Sequence, residues 1–204
     1  MTRKNWIPYL GLIGCLAYFI TTAGLVVTGA PAFLTAMELA TMLSSPILLL
    51  LLTAVPAGST KGKHTARQLS IAFMACCMAL TCAAHFVNLT VTRPLIDAGV
   101  SVPLYLQIGQ WPSVQMAVDY LAWGFFMGAA FLCASFAVAR EDKLRRALQC
   151  TLLACGALCL LGLLGAVLLD VNLWYIAPVG YGLGTVAVCF ELLAGNKQGK
   201  RRGF

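Results

Sequence analysis

Apolar side chains dominate six stretches of this chain, and short polar interruptions separate them. The segments run at about 6–28, 31–56, 67–92, 113–139, 144–169 and 173–195. Each reaches the roughly 20 residues that a helix needs to cross ~30 Å of hydrocarbon. None shows the two-residue alternation of a half-buried strand. In lipid only helices and closed barrels satisfy their own backbone, so the segments read as helices. The expected fold is all-α: a polytopic membrane protein, a bundle of six transmembrane helices forming one domain over residues 1–204.

Composition points the same way. The chain is 60% apolar and 10% charged, whereas soluble domains run near ~25% charged. Met-Thr-Arg-Lys before the first segment and Ala30-Pro31-Ala32 after it resemble a secretory signal with its cleavage site. The apolar run is too long for a signal, so it is expected to remain as the first span.

Charge placement sets the expected topology. Of 14 Lys and Arg, 13 fall in Arg3–Lys4, Lys61–Arg67, Arg140–Arg146 and Lys197–Arg202, leaving Arg93 alone. The connections at 29–30, 93–112 and 170–172 hold one basic residue, and the opposite set holds most of the rest. By the positive-inside rule both termini are cytoplasmic. No cluster is large enough to act as a basic arm, so the net charge of +7 implies no nucleic-acid partner. The nine cysteines all lie inside apolar runs and no C-x-x-C occurs, which removes the spacing of zinc ribbons and thiol-redox motifs. They read as small packing residues.

The outer loop 93–112 differs from the two short outward turns. Pro94, Pro103 and Pro112 are expected to interrupt any helix there. Leu104, Tyr105, Leu106, Ile108 and Trp111 make it too apolar for a solvated loop. It is either an interfacial connector, with Tyr105 and Trp111 in the aromatic belt, or a lid over the bundle mouth. Gly124-x-x-x-Gly128, Gly180-x-x-x-Gly184 and Gly156, Gly162 and Gly165 predict close helix–helix approach. A homo-oligomer stays open on this spacing.

Polar side chains within the apolar segments carry the candidate chemistry, because ionisable groups in hydrocarbon are costly. Counted inward from the outer helix ends at ~1.5 Å per residue, Thr21, Thr22, Glu38, His85, Asp119 and Tyr181 share one level. Thr81, His85, Asn88 and Thr92 form one stripe of the third helix. Gln115, Asp119 and Trp123 form one stripe of the fourth. If both stripes face inward, Glu38, His85 and Asp119 meet in the outer half of the bundle. Ser44-Ser45-Pro46 is expected to bend the second helix and free a carbonyl near them. Aromatic walls would come from Tyr18, Tyr120, Trp123, Trp174, Tyr175 and Tyr181. Glu191 reads as an interfacial anchor reached by residues 197–202, and Asp170 and Asn172 as helix caps.

Several chemistries fail on the residue list. His64, the only other histidine, lies in a cytoplasmic loop, so a bis-histidine haem and a three-histidine zinc site are excluded. A retinal Schiff base lacks a lysine within a span. One metal on Glu38, His85 and Asp119 would rest on fold geometry alone, so neither metal nor cofactor is assigned. The reading adopted is an inner-membrane protein whose outer-half polar cavity binds a small hydrophobic or amphipathic, lipid-like molecule. Its ligand-binding residues would be Glu38, Thr81, His85, Asn88, Gln115, Asp119, Trp123 and Tyr181. Membrane lipids are its expected surroundings. An alternative is a membrane enzyme acting on a lipid-like substrate, with His85, Glu38 and Asp119 as catalytic candidates. A second alternative is a small transporter or channel subunit, disfavoured by the lack of an internal repeat. A structural role, with the polar groups merely tying helices together, also stays open.

The stretch His85-Phe-Val-Asn-Leu-Thr-Val-Thr-Arg-Pro-Leu, then Gln110-Trp-Pro and Met116-Ala-Val-Asp-Tyr-Leu-Ala-Trp-Gly, resembles a group of small uncharacterised bacterial six-helix membrane proteins. The likeness covers about 40 residues. It implies a bacterial cytoplasmic (inner) membrane, multi-pass, and transfers no activity. In that group an aromatic residue or Asn often stands where His85 stands, which weakens a catalytic assignment to His85.

Overall fold

The computed structural model describes residues 6–139 and 141–201, with residues 198–201 described by their backbone alone. Among them, six helices are long and apolar enough to cross a membrane: α1 Ile7–Thr28, α2 Pro31–Ala54, α3 Lys61–Asp97, α4 Val114–Ala137, α5 Lys143–Leu168 and α6 Val171–Lys197, whose last turn continues to Arg201. The protein is all-helical and has the build of a multi-pass membrane protein. Each helix packs on its neighbour in sequence, and α6 returns to α1, so the six close a ring. α4 is the most buried of them and α1 the least. The core is built from Leu51, Met74, Met127, Phe131, Leu152 and Val188. One end of the bundle carries the three hairpin connections. The other end carries Lys61–Arg67 and Lys143–Arg146. Arg3, Lys4, Arg140 and Arg202, which belong to the expected basic clusters, lie outside the described residues.

At the hairpin end the stops are local. α1 ends on Gly29, whose φ of 63° suits a residue without Cβ, and Pro31 opens α2 as its first helical residue. α5 and α6 are joined through Asp170, whose Oδ1 accepts from the Asn172 N–H at 2.8 Å and caps the first turn of α6. At the basic end, cations cap helix C-termini. Arg67 Nη2 donates to Thr53 O at 2.8 Å, and Lys63 Nζ donates to Val138 O. Both place positive charge against the negative end of a helix dipole.

α3 departs from expectation at both ends. It begins at Lys61 rather than 67, because the Lys63 and His64 N–H groups bond back to Thr60 O and the polar turn runs on beyond the apolar segment. It ends at Asp97 rather than 92, so Pro94 does not stop it. Residues Asn88–Thr92 form a π turn, with the Arg93 N–H bonded five residues back to Asn88 O. Pro94 then lies in the first turn of the segment Arg93–Asp97, where its missing N–H is tolerated. The true stop is Gly99 at φ 75°. Its N–H bonds to Ile96 O while the Val100 N–H bonds to Leu95 O, the paired bonds of a Schellman cap.

The remaining loop holds a short 3-10 turn at Leu104–Leu106 and reaches Ser113, which caps α4 by accepting from the Met116 N–H. A three-ring stack ties it down. Trp111 lies on Tyr120 with centroids 5.2 Å apart, and Tyr120 on Trp174 at 3.9 Å. Tyr120 and Trp174 thus stack with each other and do not line the cavity described below, and Tyr175 is exposed. α2 runs unbroken through Pro46. The carbonyl that Pro46 leaves without a helical partner, Met42 O, accepts Cys82 Sγ–H of α3 at 3.7 Å.

The glycines mark close helix contacts. A Cβ on Gly156 would lie 2.8 Å from Gly128 O, and one on Gly162 2.6 Å from Ala177 N. Backbone against backbone leaves no side chain to yield there.

Candidate functional site

Three helices change pitch along their length. Among the described residues, π turns occur at Asn88–Thr92 in α3, Leu121–Phe126 in α4 and Val179–Leu183 in α6. All three contribute to the wall of one cavity of about 470 Å³, lined from Gly11 and Leu48 in the basic-end half of the bundle to the loop residues Gln107–Gly109 at the hairpin end. Such turns insert an extra residue and re-aim the side chains around them. In α3 the effect is specific. A regular helix would turn Arg93 about 140° away from Asn88. The π turn returns it to the same side, and both line the cavity.

Glu38 of α2 is fully buried. Its Oε1 accepts from Asn88 Nδ2 and, at 3.0 Å, from Arg93 Nη2. Arg93 Nη1 donates to Thr35 Oγ1 at 2.7 Å, one turn along α2. The guanidinium is therefore held on two points of one helix while its own chain belongs to another. Glu38 Oε2 has no hydrogen-bond partner among the described residues.

A second polar group stands across the cavity. Asp119 Oδ1 accepts from Trp123 Nε1 at 2.8 Å, one turn along α4. His85 Nε2 lies 3.6 Å from the same oxygen, near enough for charge attraction but beyond hydrogen-bond distance. His85 is buried, and neither of its ring nitrogens is hydrogen-bonded among the described residues. Gln115 Nε2 donates to Thr92 Oγ1 at 3.0 Å and fastens α4 to α3 beside this pair.

Of the residues singled out in the sequence, Glu38, His85, Asn88, Asp119, Trp123 and Tyr181 line the cavity. Thr81 and Gln115 do not; Thr81 is buried in the α3 interface and Gln115 is spent on Thr92. Glu38 takes Asn88 and Arg93 as its direct partners, while His85 is the neighbour of Asp119. Trp123 and Tyr181 pack with ring centroids 4.9 Å apart.

The residues proposed from the sequence as ligand-binding leave out Arg93, Thr41, Ser44, Thr185 and the loop residues Gln107–Gly109, and also Thr92 of the expected α3 stripe; all of them line the cavity. Arg93 carried a signal: it is the one basic residue outside the four clusters. The hydroxyls of Thr41 and Ser44 donate to Met37 O and Ala40 O on their own helix, so they turn lone pairs outward. The inner end is apolar, with Gly11, Gly14, Cys15, Ile47 and Leu48. Glu191 lies apart, accepting from Thr151 Oγ1 of α5 at 2.9 Å; of the basic residues 197–202 expected to reach it, Lys197 is exposed and forms no ion pair with it, and the side chains beyond Lys197 lie outside the described residues.

Among the described residues no group of three or more His, Cys, Asp or Glu is placed to hold a metal ion. What the wall offers is directional hydrogen bonding at one end and an apolar, aromatic surface at the other. Comparison with protein-family models, curated proteins and solved structures returns no match.

Proposed function

We propose that this chain is a bacterial inner-membrane protein with both termini cytoplasmic, and that its cavity binds one small amphipathic or apolar molecule. The hairpin end then faces the periplasm. The polar end of the ligand meets Glu38, His85, Asn88 and Asp119, and its apolar end lies against Trp123, Tyr181 and the Gly11–Cys15 surface.

One observation carries this reading. Glu38 Oε2 and both nitrogens of His85 are buried, unpartnered among the described residues, and belong to residues on the wall of a single cavity. An unsatisfied buried polar atom costs about 1–3 kcal/mol, and a polar group that a small side-chain shift brought within reach of these atoms would remove that cost. The volume of about 470 Å³ lies within the ~300–1,000 Å³ range of small-molecule sites.

The test is native mass spectrometry of protein extracted from its own membrane. Wild type carries a bound amphiphile of defined mass, and Glu38→Ala, eluting as folded protein, loses it. Wild type and variant releasing the same lipid mixture would reject the reading.

A second reading, a membrane enzyme, is favoured by the imidazole of His85 standing 3.6 Å from Asp119 with neither nitrogen hydrogen-bonded among the described residues. It predicts conversion of an extracted amphiphile by purified protein, abolished in His85→Ala. Absence of any conversion over extended incubation would remove it.

A further inference from the structure

From the level of Glu38 toward the basic end the cavity is an apolar well with a closed floor. Its wall there is Gly11, Gly14 and Cys15 of α1 and Ile47 and Leu48 of α2. Polar side chains on this stretch offer little to a ligand. The hydroxyls of Thr41 and Ser44 donate to carbonyls of their own helix, and Thr185 Oγ1 exposes almost no surface. The floor lies where α1 meets α6. A Cβ on Gly11 would stand 2.6 Å from Cys189 Sγ and 3.7 Å from Leu51 Cδ1, and Cys189 and Leu51 are fully buried. Two helices give the same depth. Leu48 lies ten residues along α2 from Glu38, and Gly11 lies ten residues along α1 from Thr21. Thr21 and Glu38 are each eight residues from the Gly29-Ala30 turn and so share a level. At a rise of ~1.5 Å per residue the well is about 15 Å deep.

Resting on the binding function proposed above, we infer that the ligand is a single-chain amphiphile whose straight tail of about twelve carbons fills this well. An extended alkyl chain with C–C bonds of ~1.5 Å advances ~1.25 Å per carbon, so a depth of about 15 Å holds about twelve. Volume agrees. A methylene takes nearly the space of a water molecule in the liquid, ~30 Å³, so twelve of them need about 360 Å³. The cavity of about 470 Å³ then leaves room for a compact polar head. Two such tails would need about 720 Å³, more than the cavity holds. The well therefore measures its ligand. A shorter tail leaves a void beside Gly11, and a longer one must fold or lift its head past Glu38. Packing decides the choice, because in lipid the tail is equally well solvated outside the protein.

The experiment offers the full chain an equimolar mixture of straight-chain monoglycerides, from hexanoyl to octadecanoyl, in digitonin micelles, whose own tail is a rigid steroid. The glyceryl head is uncharged and both donates and accepts, so selection by charge does not enter. Native mass spectrometry reads which masses stay bound. Dodecanoylglycerol is expected to be retained about tenfold over the hexanoyl and octadecanoyl members. In Gly14→Leu, verified as folded by its elution and melt, the new side chain starts 3.4 Å from Ile47 Cδ1 and 3.5 Å from Ser44 Oγ and raises the floor. Gly14 stands three residues above Gly11, a length of about four carbons, so the preference moves to octanoylglycerol. Ile47→Ala deepens the well and moves it to the tetradecanoyl member. Retention that changes steadily with tail length, without a maximum near dodecanoyl, means that the well does not measure the tail; this inference falls and the binding function stands. A maximum that neither variant moves places the selection outside the well and overturns it. Didodecanoylglycerol retained as well as the monoglyceride overturns the single chain. No retention of any probe removes the binding function and the inference together.

Discussion

Replacing Arg93 with Met isolates the energetics of the polar site. The side chain keeps much of its apolar length, and the guanidinium that contacts Glu38 Oε1 at 3.0 Å is gone. Glu38 is fully buried and would keep only Asn88. Two escapes limit the damage. The carboxylate can take a proton, which at pH 7 costs a group of ordinary pKa ~4.3 about 3.7 kcal/mol. Water can also enter from the Arg93 side, whose side chain is 18% exposed. The expected loss is therefore about 2–3 kcal/mol, at the low end for breaking a buried ion pair. Glu38→Gln alone costs about 1 kcal/mol, because Arg93 retains Thr35 and some solvent. The double variant is then less damaged than the sum of the two, with a coupling of about 1–2 kcal/mol. Reversible unfolding in mixed dodecyl sulfate and maltoside micelles, followed by circular dichroism, measures all four proteins. Repeating it at pH 5 should shrink the Arg93→Met deficit, since the proton is then taken up more cheaply. A strictly additive cycle, or a deficit independent of pH, would show that Arg93 and Glu38 do not act as a pair.

Three further outcomes follow from the packing and the charge layout. Gly156→Val forces a branched side chain into the contact with Gly128 O, where even a Cβ would sit 2.8 Å away, and should destabilise by about 3 kcal/mol in the same unfolding assay. Gly62→Ala in α3 has nothing within 4 Å of its added Cβ and should stabilise by about 0.5–1 kcal/mol. Single cysteines at Gly29 and Asn172, in a background from which the native cysteines are removed, should react with a membrane-impermeant maleimide on intact cells. One placed at Ser59 should not; the reverse labelling would invert the proposed topology.

The helices were legible in the sequence because a membrane span is written in composition over some twenty consecutive residues, and no tertiary contact has to be guessed. The levels of Glu38, His85 and Asp119 could be counted from the same spans. The facing of Arg93 could not. It depends on a π turn, which appears in no hydrophobic period and shifts every following residue around the helix axis. The end of α3 is written differently: Asp97-Ala98-Gly99 carries the glycine of a C-cap, and Pro94, sitting in a first turn, does not stop the helix before it. The partnering of Glu38 by Arg93 was hidden because of that π turn, whereas Asn88, at the start of the turn, lies on the stripe the helical period predicts. Loop residues Gln107–Gly109 reach the cavity through a connection held by Trp111 on Tyr120, a contact between distant residues that periodicity cannot report. The aromatic residues Tyr120 and Trp174 were expected as cavity wall and instead serve each other, since both period and depth suited either role.

An experimentally determined structure of protein purified without added lipid, with density resolved between α1, α2, α3 and α4, tests the central claim most directly. The account predicts one elongated density whose polar end lies within hydrogen-bond distance of Glu38 Oε2 or His85 and whose tail points toward Gly14. A cavity closed by the side chains of Leu48, Phe19 and Met37, with Glu38 and His85 bonded to protein groups alone, would contradict it.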